Sequence, residues 1–144
     1  MSIVLGPAVP EQFTEVLSFW RAATEVASST DDVAGLTALR QHDPDALIVA
    51  TDDGVIVGTV IAAWDGWRAA FYRLAVAPSH RRLGLGRALV EAGEAKVRTN
   101  GARRLSLYAV ELHPGAMAFW DAAGYQRDWQ DVRFVRNLAP PAPS

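Results

Sequence analysis

One stretch limits what this chain can become. Leu74-Ala-Val-Ala-Pro-Ser-His-Arg-Arg-Leu-Gly-Leu-Gly-Arg-Ala-Leu-Val90 runs from an apolar strand, through a proline-marked turn and a basic loop with two glycines, into an amphipathic helix. Arg81, Gly84 and Gly86 form R-x-x-G-x-G at the helix entrance. The first N–H groups of a helix lack intrahelical acceptors and lie at the positive end of its dipole, which suits a phosphate. The glycines let backbone approach a ligand closely, and Arg81, Arg82 and Arg87 supply charge for phosphate oxygens. Two rival phosphate motifs do not fit. An ATP-type loop needs G-x-x-x-x-G-K-[ST], which is absent, and a dinucleotide fingerprint needs a third glycine where Leu89 stands.

A length of 144 residues predicts one domain with a real core, spanning 1–138, and a proline-rich, disordered tail over 139–144. The formal charge of −2 gives no global basic field, so the arginines of the loop favour a small anion over nucleic acid. The absence of cysteine excludes disulfides, thiolate metal sites and a cysteine nucleophile, and no metal is expected. The N-terminus lacks the charged and apolar regions of a signal peptide. The longest largely apolar run, Val55 to Trp64, is far short of the ~20 residues that span a bilayer. A cytoplasmic protein that does not engage membranes is expected.

In chain order, Ile3 to Leu5 reads as a short strand. Glu11 to Ala27 reads as a helix with Phe13, Val16, Leu17 and Trp20 at helical spacing. Ser28 to Asp32 caps a second helix, roughly Val33 to Gln41. Ala46 to Thr51 and Val55 to Trp64 are strands joined by Asp52-Asp53-Gly54, a hairpin signal, and Asp65-Gly66 leads into a strand over Arg68 to Val76. A helix follows over Leu85 to Thr99, with Leu85, Ala88, Leu89, Ala92 and Lys96 on one side, ended by Asn100-Gly101. Arg104 to Val110 reads as a fifth strand, Ala116 to Ala123 as a short helix, and Tyr125 to Trp129 with Val132 to Leu138 as a terminal hairpin.

The segment His113-Pro-Gly-Ala-Met-Ala-Phe-Trp-Asp-Ala-Ala-Gly-Tyr125 adds a second signature. It is similar to N-x-x-A-x-x-F-Y-x-x-x-G-F of the GNAT family of acetyl-CoA-dependent N-acetyltransferases, with Ala116, Phe119, Gly124 and Tyr125 at matching spacing. Together with the R-x-x-G-x-G loop it makes the chain resemble a small bacterial-type GNAT protein. The resemblance is close over Val55 to Leu138 and rests on pattern alone before Ala46.

That resemblance implies an α/β (α+β) fold: a central, mixed, mostly antiparallel sheet of six to seven strands, splayed between strands 4 and 5 and flanked by about four helices. It implies acetyl-CoA as cosubstrate and a small-molecule or protein amine as acceptor, walled by the first helical pair, and it allows a homodimer. Leu74, Ala75 and Val76 would hold the pantetheine arm, and the N–H of Ala75 or Val76 would stabilise the developing oxyanion. Arg81, Arg82, Leu83, Gly84, Leu85, Gly86 and Arg87 would take the pyrophosphate. Phe119 and Trp120 would flank the thiol end, with His113 and Ala116 also among the cofactor-binding residues.

Two departures from the family pattern bear on catalysis. His113 stands where an asparagine is frequent. Trp120 stands where a tyrosine, the proposed acid for the leaving thiolate, is frequent, and an indole N–H cannot usefully exchange a proton near neutrality. A thiol of pKa ~8.5 leaves at pH 7 for only ~2 kcal/mol, whereas a lysine ammonium must shed a proton at ~4–5 kcal/mol and an α-amine at ~1 kcal/mol. A base therefore matters more than an acid. Tyr108, Glu111 and His113 are the candidates, of which histidine has the best resting pKa. A non-catalytic acyl-CoA-binding module that kept the cofactor site, and a structural domain whose glycine loop binds no nucleotide, remain open alternatives. Trp64, Trp67, Phe71 and Tyr72 read as sheet packing before they read as an acceptor pocket.

Overall fold

The apolar runs assemble into one sheet of strand order β1-β2-β3-β4-β5. The computed structural model describes residues 2–23, 28–109 and 114–139. The strands are β1 (Ile3–Pro7), β2 (Leu47–Asp52), β3 (Val55–Trp64), β4 (Ala69–Val76) and β5 (Leu105–Ser106). The first four pair antiparallel and β5 joins β4 in parallel. Asp53 and Gly54, both left-handed at φ 49° and 84°, turn β2 into β3 in the way a tight hairpin requires. In the next turn the Asp65 carboxylate accepts the N–H groups of Trp67 and Arg68 at 2.8 and 2.7 Å.

Four α-helices cover the sheet among the described residues: α1 (Phe13–Ala23), α2 (Val33–His42), α3 (Leu85–Asn100) and α4 (Pro114–Ala122). Asp32 caps α2 by accepting the Gly35 N–H at 2.7 Å. On one face α1 and α2 bury Phe13, Val16, Leu17, Trp20 and Leu36 against Val49, Ile56 and Ala75. On the other, α3 lays Leu85, Leu89, Val90 and Val97 on Ile48, Val60 and Phe71, and α4 adds Phe119 and Trp120 at the margin. Gly93 permits this approach. A Cβ there would stand 2.7 Å from the Phe71 ring. Lys96 pins α3 to the α2–β2 turn through Asp43 and donates to the Ala62 carbonyl at 3.0 Å.

A bulge divides β4. Ile61 faces Tyr72 and Thr59 faces Ala75, so Val60 alone opposes both Arg73 and Leu74. Arg73 occupies the left-handed region at φ 54°, which costs a non-glycine residue ~1–3 kcal/mol. The extra residue reverses the side-chain parity of the strand: Phe71 packs under α3, whereas Ala75 packs under α1 and α2.

Several expectations need correction. The sheet has five strands among the described residues, not six to seven. The fifth spans Leu105–Ser106 and not Arg104 to Val110, the last residue of which lies outside the described set. The terminal hairpin is absent: residues 126–138 carry no strand. Trp129, Val132, Phe134, Val135 and Leu138 are all exposed, so their β-propensity finds no face to bury and no neighbouring strand to pair with. The first helix opens with a 3₁₀ turn at Pro10–Gln12, and its expected last residues, 24–27, are outside the described set. The buried side of α3 is Leu85, Leu89, Val90, Gly93 and Val97, a rotation from the expected Ala88, Ala92 and Lys96.

Candidate active site

The helix that follows the glycine loop begins without a side-chain cap. Gly84 is its N-cap at φ 80°, a conformation that glycine adopts without strain. The first backbone bond there is Ala88 N–H to Gly84 O at 3.0 Å. Leu85, Gly86 and Arg87 therefore have no carbonyl four residues back within the helix, and their N–H groups form a positive, uncapped end. Arg81 folds back and donates from Nε to the Val76 carbonyl at 3.2 Å, joining the loop to β4. Arg82 is exposed and left-handed at φ 64°, and Leu83 is exposed.

The end of β4 beside this loop is open. Among the described residues, β5 pairs only with Ala69 and Ala70, and from Phe71 onward none of them ladders that edge of β4. Ala77 donates its N–H to Val57 of β3 at 2.8 Å. Strand backbone alternates, so Val76 turns its N–H and C=O the other way, toward the open edge. The parting of β4 from β5 after two residue pairs is the expected splay.

Gly86 links loop, strand and α4. A Cβ on Gly86 would lie 3.0 Å from the Phe119 ring and 3.8 Å from Val76 Cγ2. Arg87 donates to the Ala122 carbonyl at 3.2 Å, tying α3 to the last turn of α4. Behind Phe119 is an aromatic cluster in which the Trp120 ring meets Phe119 at 5.1 Å, Tyr125 at 5.0 Å and Phe71 at 6.2 Å. The Tyr125 hydroxyl donates to Glu94 at 2.7 Å. Burial first, then the adjacent carboxylate, push its pKa up, so this phenol keeps its proton. The turn before the loop is anchored as well. His80 Nε2 lies 2.8 Å from Asp52 at the β2–β3 hairpin, and Ser79 lies 2.7 Å from the other ring nitrogen. The His80 hydrogen bond, followed by that from the Ser2 N–H, holds Asp52 below the usual carboxylate range.

The sequence model of the acetyltransferase (GNAT) family matches residues 13–125, well over half of the chain. The chain belongs to the GNAT family. An acetyltransferase of Photorhabdus laumondii is 28% identical over 89% of this chain and 90% of its own length. A Bacillus halodurans protein described as a transcriptional regulator superposes with TM-score 0.76 at 16% identity, covering 94% of this chain and all of that one. An aminoglycoside N-acetyltransferase solved in complex with CoA superposes with TM-score 0.73 at 17% identity, covering 96% of each chain. The two structural likenesses speak to fold. This GNAT protein is an N-acetyltransferase with acetyl-CoA as cosubstrate.

Most of the expected site residues converge in this GNAT chain. Leu74, Ala75 and Val76 form the open end of β4, Arg81 to Arg87 the loop and first turn of α3, and Ala116, Phe119 and Trp120 the facing side of α4. Tyr108 does not join them as a buried group: it is exposed, with the Arg133 guanidinium 5.2 Å above its ring. Glu111 and His113 lie outside the described residues. Of the strand aromatics, Phe71 is core and Trp64 packs against it, whereas Trp67 and Tyr72 are exposed. No group of three or more metal-binding side chains occurs among the described residues, and no described helix is long and apolar enough to cross a membrane.

Sequence reasoning missed Thr59. It is wholly buried, accepts from Trp20 Nε1 and donates to the Arg73 carbonyl, each at 2.8 Å. The available signal was a lone hydroxyl in the otherwise apolar run Val55–Trp64.

Proposed function

We propose that this enzyme transfers the acetyl group of acetyl-CoA directly to a primary amine, with both substrates bound together. The observation that carries the reading is the meeting of an uncapped α3 N-terminus with the unladdered end of β4, bridged by Arg81. Acetyl-CoA supplies an acyl group already activated as a thioester, and the chain's residues hold and orient it. The N–H groups of Leu85 to Arg87, with the charges of Arg81 and Arg82, receive the pyrophosphate. The open edge of Leu74 to Val76 receives the pantetheine amides as a strand would. The Val76 N–H faces that edge and is the donor for charge developing on the thioester oxygen, a term worth ~3–4 kcal/mol for a single donor. Phe119 and Trp120 exclude water from the thiol end.

The proton balance follows from the same residues. Trp120 cannot protonate the departing thiolate, and Tyr125 is committed to Glu94, so the thiolate leaves with its charge and takes a proton from solvent. The amine must arrive neutral or shed its proton to water or to a base outside the described residues, for which Glu111 and His113 are the candidates. An α-amine near pKa ~8 then reacts more readily at neutral pH than a lysine near ~10.4.

The test is release of CoA, detected as free thiol, across a panel holding a peptide α-amine, a lysine side chain, a polyamine and an aminoglycoside, at pH 7 and pH 9. The reading predicts turnover on at least one amine, rising with pH. Absence of turnover on every amine, with acetyl-CoA still raising the melting temperature, would favour the acyl-CoA-binding module.

A further inference from the structure

The cofactor-facing end of β4 depends on a bulge that its own sequence disfavours. Arg73 is neither glycine nor asparagine, yet it holds a left-handed φ of 54°. Such a conformation persists only where its surroundings over-determine it. Among the described residues, contacts on the α1–α2 side contribute to this. The Thr59 hydroxyl donates to the Arg73 carbonyl at 2.8 Å, within the bulge. Trp20 Nε1 of α1 fixes that hydroxyl from its other side at 2.8 Å. Asp31, in the turn before α2, pairs with the Arg73 guanidinium, which also lies 5.5 Å from the Trp20 ring centroid.

The consequence falls on the residues that follow. The bulge reverses the parity of the strand, putting Leu74 and Val76 under α3 and Ala75 under α1. Without it, Val76 would exchange faces and the edge that now looks toward the α3 N-terminus would be re-aimed. Arg73 also pairs with Asp31, just before α2.

We infer that Thr59 and Arg73 are positioning residues for acetyl transfer: the Trp20–Thr59–Arg73–Asp31 chain fixes the bulge that aims the Leu74–Val76 backbone, and couples that backbone to Asp31 at the start of α2. Neither residue touches the reacting atoms. The inference rests on acetyl transfer at the open end of β4, and its test separates the two.

Thr59→Val keeps shape and burial but removes the hydroxyl. The expected result is a fall in kcat of about tenfold or more, with the Kd for acetyl-CoA within about twofold of the parent, since the arginine loop and α3 are unchanged. Thr59→Ser, which restores a hydroxyl, recovers most of kcat. In amide NMR spectra, Thr59→Val shifts the Leu74, Ala75 and Val76 resonances and leaves those of Gly84 to Arg87 in place. Should Thr59→Val fold poorly because the Trp20 N–H is stranded, Thr59→Val with Trp20→Phe removes both buried partners together. Arg73→Gly, which tolerates the left-handed φ, retains more activity than Arg73→Val, which does not.

Unchanged kcat and unchanged Leu74–Val76 resonances in Thr59→Val, or Arg73→Val matching Arg73→Gly, would overturn the inference. If the parent chain turned over no amine, acetyl transfer itself would fail, while the resonances would still decide whether Thr59 sets the backbone.

Discussion

The two ends of β4 differ in almost every respect. At Ala69 and Ala70 the strand is laddered on both edges, by β3 and β5, and the adjoining Phe71 ring is clamped beneath Gly93 of α3. At Ala75 and Val76 it is laddered, among the described residues, by β3 alone, and the Arg81 side chain reaches across the open edge to the Val76 carbonyl. The bulge at Arg73 separates the two. A sheet interior ordinarily leaves no backbone group for a ligand. Here one strand is a structural member at one end and a docking edge at the other, so stability and binding can be perturbed separately.

The closed end gives the largest expected effect. Gly93→Val drives a branched side chain into the buried Phe71 ring, where even a Cβ would stand at 2.7 Å. Overpacking of this kind costs about 3 kcal/mol or more, read as a lower denaturation midpoint. If acetyl-CoA affinity fell while the midpoint held, the division of β4 would be wrong. At the open end, Arg81→Ala leaves the midpoint nearly unchanged. It removes one charge-assisted contact worth ~1.5–3 kcal/mol, so acetyl-CoA binds about 10–100-fold more weakly. The loss shrinks as salt is raised, because salt already screens the pair.

Much of this division was readable from residue order. R-x-x-G-x-G fixed the loop and helix start, Asp53-Gly54 the hairpin, and the parting of strands 4 and 5 followed from the family resemblance. The bulge was not readable, because a glycine would have announced a left-handed residue whereas Arg73 adopts it with support from Thr59 and Asp31, distant in sequence. The α3 face was misjudged for a related reason. Gly93 has no side chain to mark it as apolar, yet a Cβ there would stand 2.7 Å from the Phe71 ring of the sheet. Val132 to Leu138 failed in the opposite direction, having the composition of a strand with no surface to pack on.

Smaller effects refine the comparison. Trp120→Tyr supplies the phenol the chain lacks. Since thiolate departure costs only ~2 kcal/mol at pH 7, kcat rises by no more than about thirtyfold, and the gain diminishes toward pH 9. A larger rise would mean that leaving-group protonation limits the parent enzyme. The smallest effect concerns the anchor of the loop. The folded pKa of Asp52 is depressed, so its contribution is present above the unfolded value of ~3.9 and is lost as pH falls through the lower folded value. Asp52→Asn should flatten that acid-side slope in a pH series of melting temperatures, lowering the midpoint slightly at neutral pH and above and leaving it nearly unaltered once pH falls below the folded value of Asp52.

The most direct test of the account is an amide NMR titration of the intact chain with acetyl-CoA. The account predicts saturable shifts concentrated at Leu74 to Val76 and Gly84 to Arg87, with Ala69 and Ala70 unmoved. Shifts centred elsewhere, or spread equally over both ends of β4, would contradict it.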